Sequence, residues 1–249
     1  YLNNSPFVFT TPETSELIKY ASNAFLAVKI AYINELSELC ENVGADIKEV
    51  AKGMGLDGRI GRYFLHAGPG YGGSCFPKDT RALSKIASDA KTEVSIVNAA
   101  IEANERQKQR MVKKIKSAFE DNLNGKRIAV LGVAFKPETD DVRESPAITI
   151  IKGIVKEGAV VSAYDPAAME NAQRFALSDI DVRYSEDEYS AVEGADAVVI
   201  VTEWNKFRNL DLRKIKSLMN GEAFIDLRNI YSKEIVEPFG FKYYSVGRV

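Results

Sequence analysis

One stretch divides this chain: Asn124-Gly125-Lys126-Arg127-Ile128-Ala129-Val130-Leu131-Gly132-Val133. Asn-Gly is a strong turn signal, and the apolar run that follows it is typical of a buried strand. Before this stretch, apolar residues recur at helical spacing. After it, short β-rich runs alternate with helical segments. We therefore predict an all-α domain with long helices over residues 1–123, followed by a Rossmann-like α/β parallel-sheet domain over residues 124–249.

The first half of the sequence predicts four helices. Thr11-Pro12-Glu13 is a helix start, and apolar spacing then continues to Val43 before Gly44 ends the pattern. About thirty residues is long for a globular helix, so we expect it to be buried against several partners or a second subunit. The other predicted helices cover residues 46–53, 77–90 and 93–123. The last has a strongly polar middle over residues 102–110, which favours a connecting helix between two bodies.

The second half predicts four strands with helices between the first three. The strands cover residues 127–133, 160–164, 197–201 and 223–226, and the helices cover residues 146–157 and 186–192. In parallel sheets, ligands bind beyond the carboxyl ends of the strands. We therefore look for a second functional segment directly after the first strand.

Composition narrows the classes of function. The 249 residues are 45% apolar and 27% charged, with a net charge of −2. This balance gives no reason to expect nucleic acid or an anionic membrane as a partner. No apolar run approaches the roughly 20 residues that span a membrane. The two cysteines lie far apart, which suits a reducing cytoplasm. Because the chain starts at Tyr1 rather than Met, we expect it to be a piece of a longer protein.

The most informative segment is Gly68-Pro69-Gly70-Tyr71-Gly72-Gly73-Ser74-Cys75-Phe76-Pro77-Lys78-Asp79. Four glycines in six residues favour a loop whose backbone lies close to a ligand. Pro77 suits a first helical turn, which places Cys75 at a helix N-terminus beside a cation. Those conditions favour a reactive thiolate. The alternative is a half-buried structural cysteine beside a turn.

The loop after the first strand is a candidate anion site. Lys136 and Arg143 lie in it, and Ser145 is a predicted helix cap at its end. Cations beside a helix N-terminus attract anions. Four acidic residues balance these charges, so a solvated surface loop is an equal alternative from the residues alone.

Several other signals favour structural roles. Gly53 to Gly58 spell G-x-G-x-x-G, but they follow a predicted helix rather than a strand, which argues against dinucleotide binding. Cys40 falls in an apolar helical pattern and is interpreted as a core residue. Asp165 ends the second strand, where an acid could bind a ribose, but Asp-Pro is also an ordinary turn. His66 is the single histidine, and no metal site is visible.

The Gly68–Asp79 motif closely resembles the catalytic-cysteine signature of the UDP-glucose/GDP-mannose dehydrogenase family. The segment Gly132-Val133-Ala134-Phe135-Lys136, continued by Arg143-Glu144-Ser145, resembles a second motif of the family. The resemblance runs from about Thr10 to Arg248 and covers the family's central and C-terminal domains. The N-terminal NAD-binding domain of the family has no counterpart here.

The resemblance implies site residues position by position. The catalytic group would comprise Cys75, Lys19, Asn23 and Asp79, with Lys19 and Asn23 on one helix face and Asp79 positioning or deprotonating a water. Arg59 would reach the neighbouring site across a homodimer interface. Lys78 and Arg143 would contact NAD. The substrate contacts would be Arg59, Phe64, Gly70, Tyr71, Gly72, Gly73, Phe135, Lys136 and Arg228.

The activity that the resemblance implies is oxidation of UDP-glucose to UDP-glucuronate in two successive steps with NAD, through a thiohemiacetal and a thioester on Cys75. Three alternatives stay open. The UDP-N-acetylhexosamine branch usually has His where this chain has Ser74. The GDP-mannose branch shares a similar Gly-Gly-Ser-Cys core. A non-catalytic nucleotide-sugar-binding or dimerisation module would also fit a chain that lacks the NAD-binding domain.

Overall fold

In the computed structural model, which describes residues 6–248, four helices precede the first strand: α1 Pro12–Val43, α2 Ile47–Gly55, α3 Phe76–Asp89 and α4 Ser95–Ser117. Helix α1 has the predicted bounds. It begins where the Thr11 hydroxyl accepts a hydrogen bond from the Thr14 amide at 3.3 Å. It ends at Gly44, whose φ of 75° is left-handed and accessible to glycine at little cost.

Two of these helices end two or more residues away from their predicted ends. Helix α2 continues two residues past Gly53, to Gly55. Helix α4 stops at Ser117 rather than at residue 123, because the chain turns over the next few residues. There, Glu120 and Asp121 have φ values of 52° and 61°, which no α-helix allows.

The second half forms six parallel strands: β1 Arg127–Leu131, β2 Val160–Tyr164, β3 Val182–Tyr184, β4 Ala197–Ile200, β5 Ala223–Asp226 and β6 Lys242–Ser245. They lie in one sheet in the order β3-β2-β1-β4-β5-β6. Its central strand β1 pairs with β2 on one side and β4 on the other, so the strand order reverses there. Such a reversal opens a crevice at the carboxyl ends of the two neighbours.

Five helices accompany the sheet: α5 Pro146–Lys156, α6 Met169–Asn171, α7 Glu188–Val192, α8 Leu212–Leu218 and α9 Lys233–Val236. A π-helical turn covers Ala172–Ala176, and 3₁₀ turns cover Asn205–Asn209 and Glu237–Phe239. Helix α5 begins at Pro146, and the Ser145 hydroxyl caps it as predicted.

The sequence did not predict the two edge strands, β3 and β6. Strand β3 has three residues, and its central Arg183 is exposed. Strand β6 begins with exposed Lys242 and carries two half-buried tyrosines. Edge strands lie beside solvent on one side, so they lack the continuous apolar run that predicted the buried strands.

One apolar core extends from α1 through the sheet to Val246. Cys40 lies in it with 5% of its surface exposed, which confirms the prediction of a core residue. Burial raises the pKa of its thiol, and the nearby charges of Asp46 and Glu41 raise it further. The predicted combination of a helical portion and a parallel α/β sheet is confirmed. The division into domains between residues 123 and 124 stays a prediction.

Candidate active site

The glycine loop, residues 68–73, is buried between the helical portion and the carboxyl end of the sheet. A Cβ atom at Gly73 would lie 2.6 Å from the Phe135 ring, and one at Gly72 would overlap the Glu144 carbonyl. The Gly73 amide donates to the Arg143 carbonyl at 2.8 Å. Glycine is therefore required here because the backbone lies directly against the loop that follows β1.

Three amide side chains hold the other end of the glycine loop. Asn104 accepts from the Tyr71 amide at 2.8 Å and donates to the Tyr71 carbonyl at 3.1 Å. Gln107 donates to the Gly68 carbonyl at 2.7 Å, and Asn34 accepts from the Gly68 amide at 2.8 Å. All three side chains are buried.

Sequence reasoning missed these three residues. The polar middle of α4 predicts a connecting segment, yet Asn104, Gln107 and Lys108 are buried within it. Their available signal was spacing: polar residues three or four apart share one helix face. Because the buried backbone of a glycine loop needs hydrogen-bond partners, a polar helix face is a suitable neighbour.

Cys75 is exposed and occupies the cap position directly before α3. Its Sγ lies 3.9 Å from the Ser74 hydroxyl. Cys75 therefore lies at a helix N-terminus, as predicted. The helix itself begins at Phe76, one residue before the predicted start at Pro77. A thiol at this position is open to ligands and lies at the positive end of the helix dipole.

Asp79, one turn further along α3, gathers three of the predicted site residues. Its carboxylate accepts from Asn23 Nδ2 at 2.6 Å and from Lys78 Nζ at 2.5 Å, and Lys19 Nζ lies 3.4 Å away. Asp79 is fully buried, whereas both lysine side chains are 61% exposed. The structure thus brings Lys19, Asn23, Lys78 and Asp79 together beside Cys75.

The electrostatics of this cluster favour an ionised Asp79. Burial acts to raise the pKa of this carboxyl, but hydrogen bonds from Lys78 and Asn23 and the charges of both lysines outweigh it. The net result is a lowered pKa. A carboxylate with both oxygens already paired is a poor proton acceptor, so the geometry favours the positioning role over the role of a base.

A cavity of about 370 Å³, here called the glycine-loop cavity, opens beside the loop. Its volume suits a ligand of small-molecule size. Seven of the predicted substrate residues line it: Phe64, Gly70, Tyr71, Gly72, Phe135, Lys136 and Arg228. Asn34, Ile30, Tyr63, His66, Gly68, Phe76 and Glu203 complete the lining. The cavity thus collects residues from both halves of the chain.

Arg228 connects the ends of three strands at the floor of this cavity. Its Nε donates to the Val201 carbonyl at 2.7 Å and lies 3.0 Å from the Glu203 carboxylate. Its Nη2 donates to the Phe135 carbonyl at 3.3 Å. Lys136 Nζ lies 5.3 Å from the centre of the Phe135 ring. These residues place positive charge at the crevice where the strand order reverses.

Four of the predicted contact residues do not line the cavity: Arg59, Gly73, Lys78 and Arg143. Arg59 is 90% exposed and pairs with Asp57 at 2.6 Å. Arg143 pairs with Asp141 at 2.8 Å and is 69% exposed. Their roles, which the resemblance places toward a partner subunit and a cofactor, stay predictions.

Asp165 is a structural residue. One oxygen accepts from the amides of Val133 and Ala134 and from the Trp204 indole, and the other accepts from the amides of Ala167 and Ala168, all within 2.7–3.1 Å. With five donors on a buried carboxylate, no hydrogen-bonding capacity remains for a ribose. The turn interpretation is therefore the one that the geometry supports.

The G-x-G-x-x-G of residues 53–58 lies at the end of helix α2 rather than after a strand. Over residues 6–248, no three His, Cys, Asp or Glu side chains are grouped to hold a metal ion. No helix in the same range combines the length and apolar character of a membrane span.

Comparisons with known proteins match both halves of the chain. The central domain of the UDP-glucose/GDP-mannose dehydrogenase family matches residues 13–106, and the UDP binding domain of the same family matches residues 129–233. The chain belongs to the UDP-glucose/GDP-mannose dehydrogenase family. The motif-based recognition of the family is thus confirmed.

Individual relatives agree with the family assignment. The chain is 54% identical over 248 residues to a UDP-glucose 6-dehydrogenase of Rhizobium meliloti and 48% identical over 245 residues to one of Rickettsia bellii, covering 100% and 98% of this chain. It spans 56% of the length of each. A solved UDP-glucose dehydrogenase from Pyrobaculum islandicum is 36% identical with a TM-score of 0.88, covering 99% of this chain and 54% of that one.

Proposed function

We propose that this chain forms the substrate-binding and cysteine-bearing part of an NAD-dependent UDP-glucose 6-dehydrogenase. The observation that carries the proposal is the exposed thiol of Cys75 one helical turn from buried Asp79, which holds Lys19, Lys78 and Asn23. A nucleophile beside fixed cationic and amide donors suits the oxidation of an alcohol through a covalently held aldehyde. The relatives named above carry this activity in their names.

The residues of the cluster take complementary roles in this proposal. The thiolate of Cys75 adds to the C6 aldehyde, which forms a C–S bond and a thiohemiacetal oxygen that Lys19 and Asn23 stabilise. After the second oxidation, water attacks the resulting thioester and releases the C6 carboxylate, with the thiol as leaving group. Asp79 keeps the two donors in place throughout. Donors fixed before the reaction stabilise developing charge more than mobile ones.

The glycine-loop cavity would hold the rest of the substrate. Phe135, Lys136 and Arg228 lie at the carboxyl end of the sheet and would bind the UDP part. The loop from Gly70 to Cys75, with Phe64 beside it, would bind the glucose end. Cations at a parallel-sheet crevice are suited to a diphosphate.

NAD would be bound mainly by a part of the enzyme outside this sequence. Lys78 and Arg143 are the residues of this chain suited to its phosphates, because both are exposed cations and both contribute to the electrostatics around Cys75. When bound, NAD supplies the hydride acceptor. The contribution of this chain is to hold the sugar and the thiol in place beside it.

Helix α1 supports the proposed homodimer. Four large apolar side chains, Ile18, Phe25, Tyr32 and Leu39, follow one another every seven residues and are 48–65% exposed. A seven-residue apolar repeat is the pattern of a helix that packs along another helix. We propose a two-fold dimer through α1, in which Arg59 reaches the neighbouring site. Light scattering that gives a 27.5 kDa monomer at tens of micromolar would contradict this.

Calorimetry with the 249-residue chain tests the proposed substrate. We expect UDP-glucose and UDP to bind, because the UDP contacts belong to this chain. Binding should be about 1–3 kcal/mol weaker than in the complete enzyme, which is the range typical of coupling between sites. GDP should bind poorly, because a site whose polar groups fit uracil leaves them unpaired against guanine.

Two variants sharpen this experiment. Lys136→Gln should weaken UDP binding, whereas Lys156→Gln, an exposed lysine on α5, should not. No binding of UDP or UDP-glucose at millimolar concentration by the folded chain would refute the proposed substrate. Preference for GDP-mannose or for a UDP-N-acetylhexosamine would instead assign the chain to another branch of the family. Binding without Cys75-dependent turnover in the complete enzyme would favour the non-catalytic module.

A further inference from the structure

A second cavity, here called the basic cavity, adjoins the glycine-loop cavity. Its volume is about 600 Å³. It lies between helix α2, the segment that precedes the glycine loop, and the segments that follow β4 and β5. His66, Glu203 and Arg228 line both cavities and form the boundary between them.

The basic cavity carries a large excess of positive charge. Five cationic side chains line it, from four separate segments: Lys48, Lys52, Arg62, Arg208 and Arg228. The single carboxylate of the lining, Glu203, lies 3.0 Å from Arg228. Within the described part of the chain, the other four cations form no ion pair with a carboxylate.

The lack of partners in the basic cavity contrasts with two other clusters of cations in the molecule. Elsewhere, clustered cations have carboxylate partners: Arg110 and Lys114 both pair with Glu41, and Lys206 pairs with Glu188. The pKa of Lys48 reflects both its burial and the charges around it. Partial burial lowers the pKa of its ammonium group, the charges of Arg248 and of Arg208, another residue of the lining, lower it further, and Asp226 and Asp46 offset this only in part. An anion in the cavity would relieve this repulsion.

We propose that the basic cavity is a binding site for a small phosphorylated anion, separate from the glycine-loop cavity. A concave surface with charge of one sign concentrates counter-ions, and guanidinium and ammonium groups together suit phosphate oxygens. The remaining lining includes Ile47, Leu65 and Ile230, and no Phe, Tyr or Trp ring among the described residues. With no aromatic platform for a base, the site recognises the phosphates of its ligand.

Inorganic pyrophosphate is the probe for this site, titrated calorimetrically into the 249-residue chain with and without saturating UDP-glucose. We expect saturable binding in both cases, weakened by added salt because the cations are open to solvent. The test variant is Lys48→Gln combined with Arg208→Gln, and the control is Lys156→Gln. Removing two exposed cations should weaken binding about tenfold, since each such ion pair typically contributes a few-fold.

The outcomes separate this site from the proposed substrate site. Tenfold weaker pyrophosphate binding by the double variant, with unchanged UDP-glucose affinity and an unaffected control, supports the proposal. Binding that is lost in Lys136→Gln but kept in the double variant would place pyrophosphate in the glycine-loop cavity and overturn the proposal. Absence of pyrophosphate binding by the folded chain would also overturn it. If UDP-glucose failed to bind, the proposed function would be refuted. The pyrophosphate titration without UDP-glucose would still decide whether the basic cavity binds a phosphorylated anion.

Discussion

Two buried aspartates, Asp79 and Asp165, mark the difference between the two halves of the molecule. Both are at most 2% exposed. Asp79 is neutralised by side chains, two of which are lysines with most of their surface in solvent. Asp165 instead accepts hydrogen bonds from four backbone amides and a buried indole.

The difference lies in what each carboxylate controls. The donors to Asp165 are backbone amides and an indole, so this residue connects the loops after β1, β2 and β4. The donors to Asp79 are side chains, and Asp79 lies one helical turn from the exposed thiol of Cys75. A buried anion with exposed cationic partners arranges a surface for a ligand, whereas one with backbone partners stabilises a fold.

The largest effect should come from Asp165→Ala. Five buried donors would lose their acceptor, and leaving such groups unpaired should lower the free energy of unfolding by about 4 kcal/mol. Urea unfolding of the 249-residue chain measures this. Asp181→Ala, an exposed aspartate without a hydrogen-bond partner among the described residues, should change stability by less than about 0.5 kcal/mol. Equal stability of the two variants would contradict the structural role of Asp165.

A smaller effect on stability, but a strong effect on catalysis, should follow from Asp79→Asn. The variant keeps the shape of the side chain but loses the charge that holds Lys19 and Lys78. Turnover of UDP-glucose by the complete enzyme should fall about 100-fold, similar to the loss of one fixed oxyanion donor. Asp89→Asn on the same helix, which changes an exposed ion pair, is the control. Unchanged turnover in Asp79→Asn would remove this residue from the site.

The smallest effect concerns acid stability. The pKa of Asp79 is lowered in the fold from an ordinary value of 3.8, so its stabilisation is complete above that value and is lost as the pH falls through the folded-state pKa. The stability difference between the wild type and Asp79→Asn should therefore be constant above about pH 5 and shrink below about pH 4. Urea unfolding from pH 3 to pH 7 measures it. A difference that grows on acidification would mean that Asp79 is protonated in the native protein.

The sequence predicted the parts of this architecture that depend on local signals. Helix α1 has strong caps at both ends, and strands β2 and β5 have apolar runs, so their bounds were predicted correctly. Asn104 and Gln107 instead bind the backbone of Tyr71 and Gly68, which lie 33 and 39 residues away in the sequence. No local pattern contains that information.

The candidate active site, too, could be predicted from the local sequence only in part. The motif identified Cys75, Asp79 and the glycines, because their types and spacing are specific. Asp79 is fully buried and has Lys19 and Asn23 as partners because of how α1 packs against α3, which the motif does not specify. The charge of the basic cavity was not predicted at all, since its cations come from four segments spread over residues 48–228.

The central claim is that Cys75 lies where the sugar end of UDP-glucose binds, and thiol alkylation of the 249-residue chain tests it most directly. The rates of iodoacetamide labelling are measured separately at Cys75 and Cys40 by peptide mass spectrometry. Exposed Cys75 should react in the native protein, whereas buried Cys40 should react only on unfolding. Saturating UDP-glucose should slow Cys75 labelling at least about tenfold, and UDP alone, which lacks the sugar, should slow it much less. Labelling of Cys75 at the same rate with and without bound UDP-glucose would contradict the account.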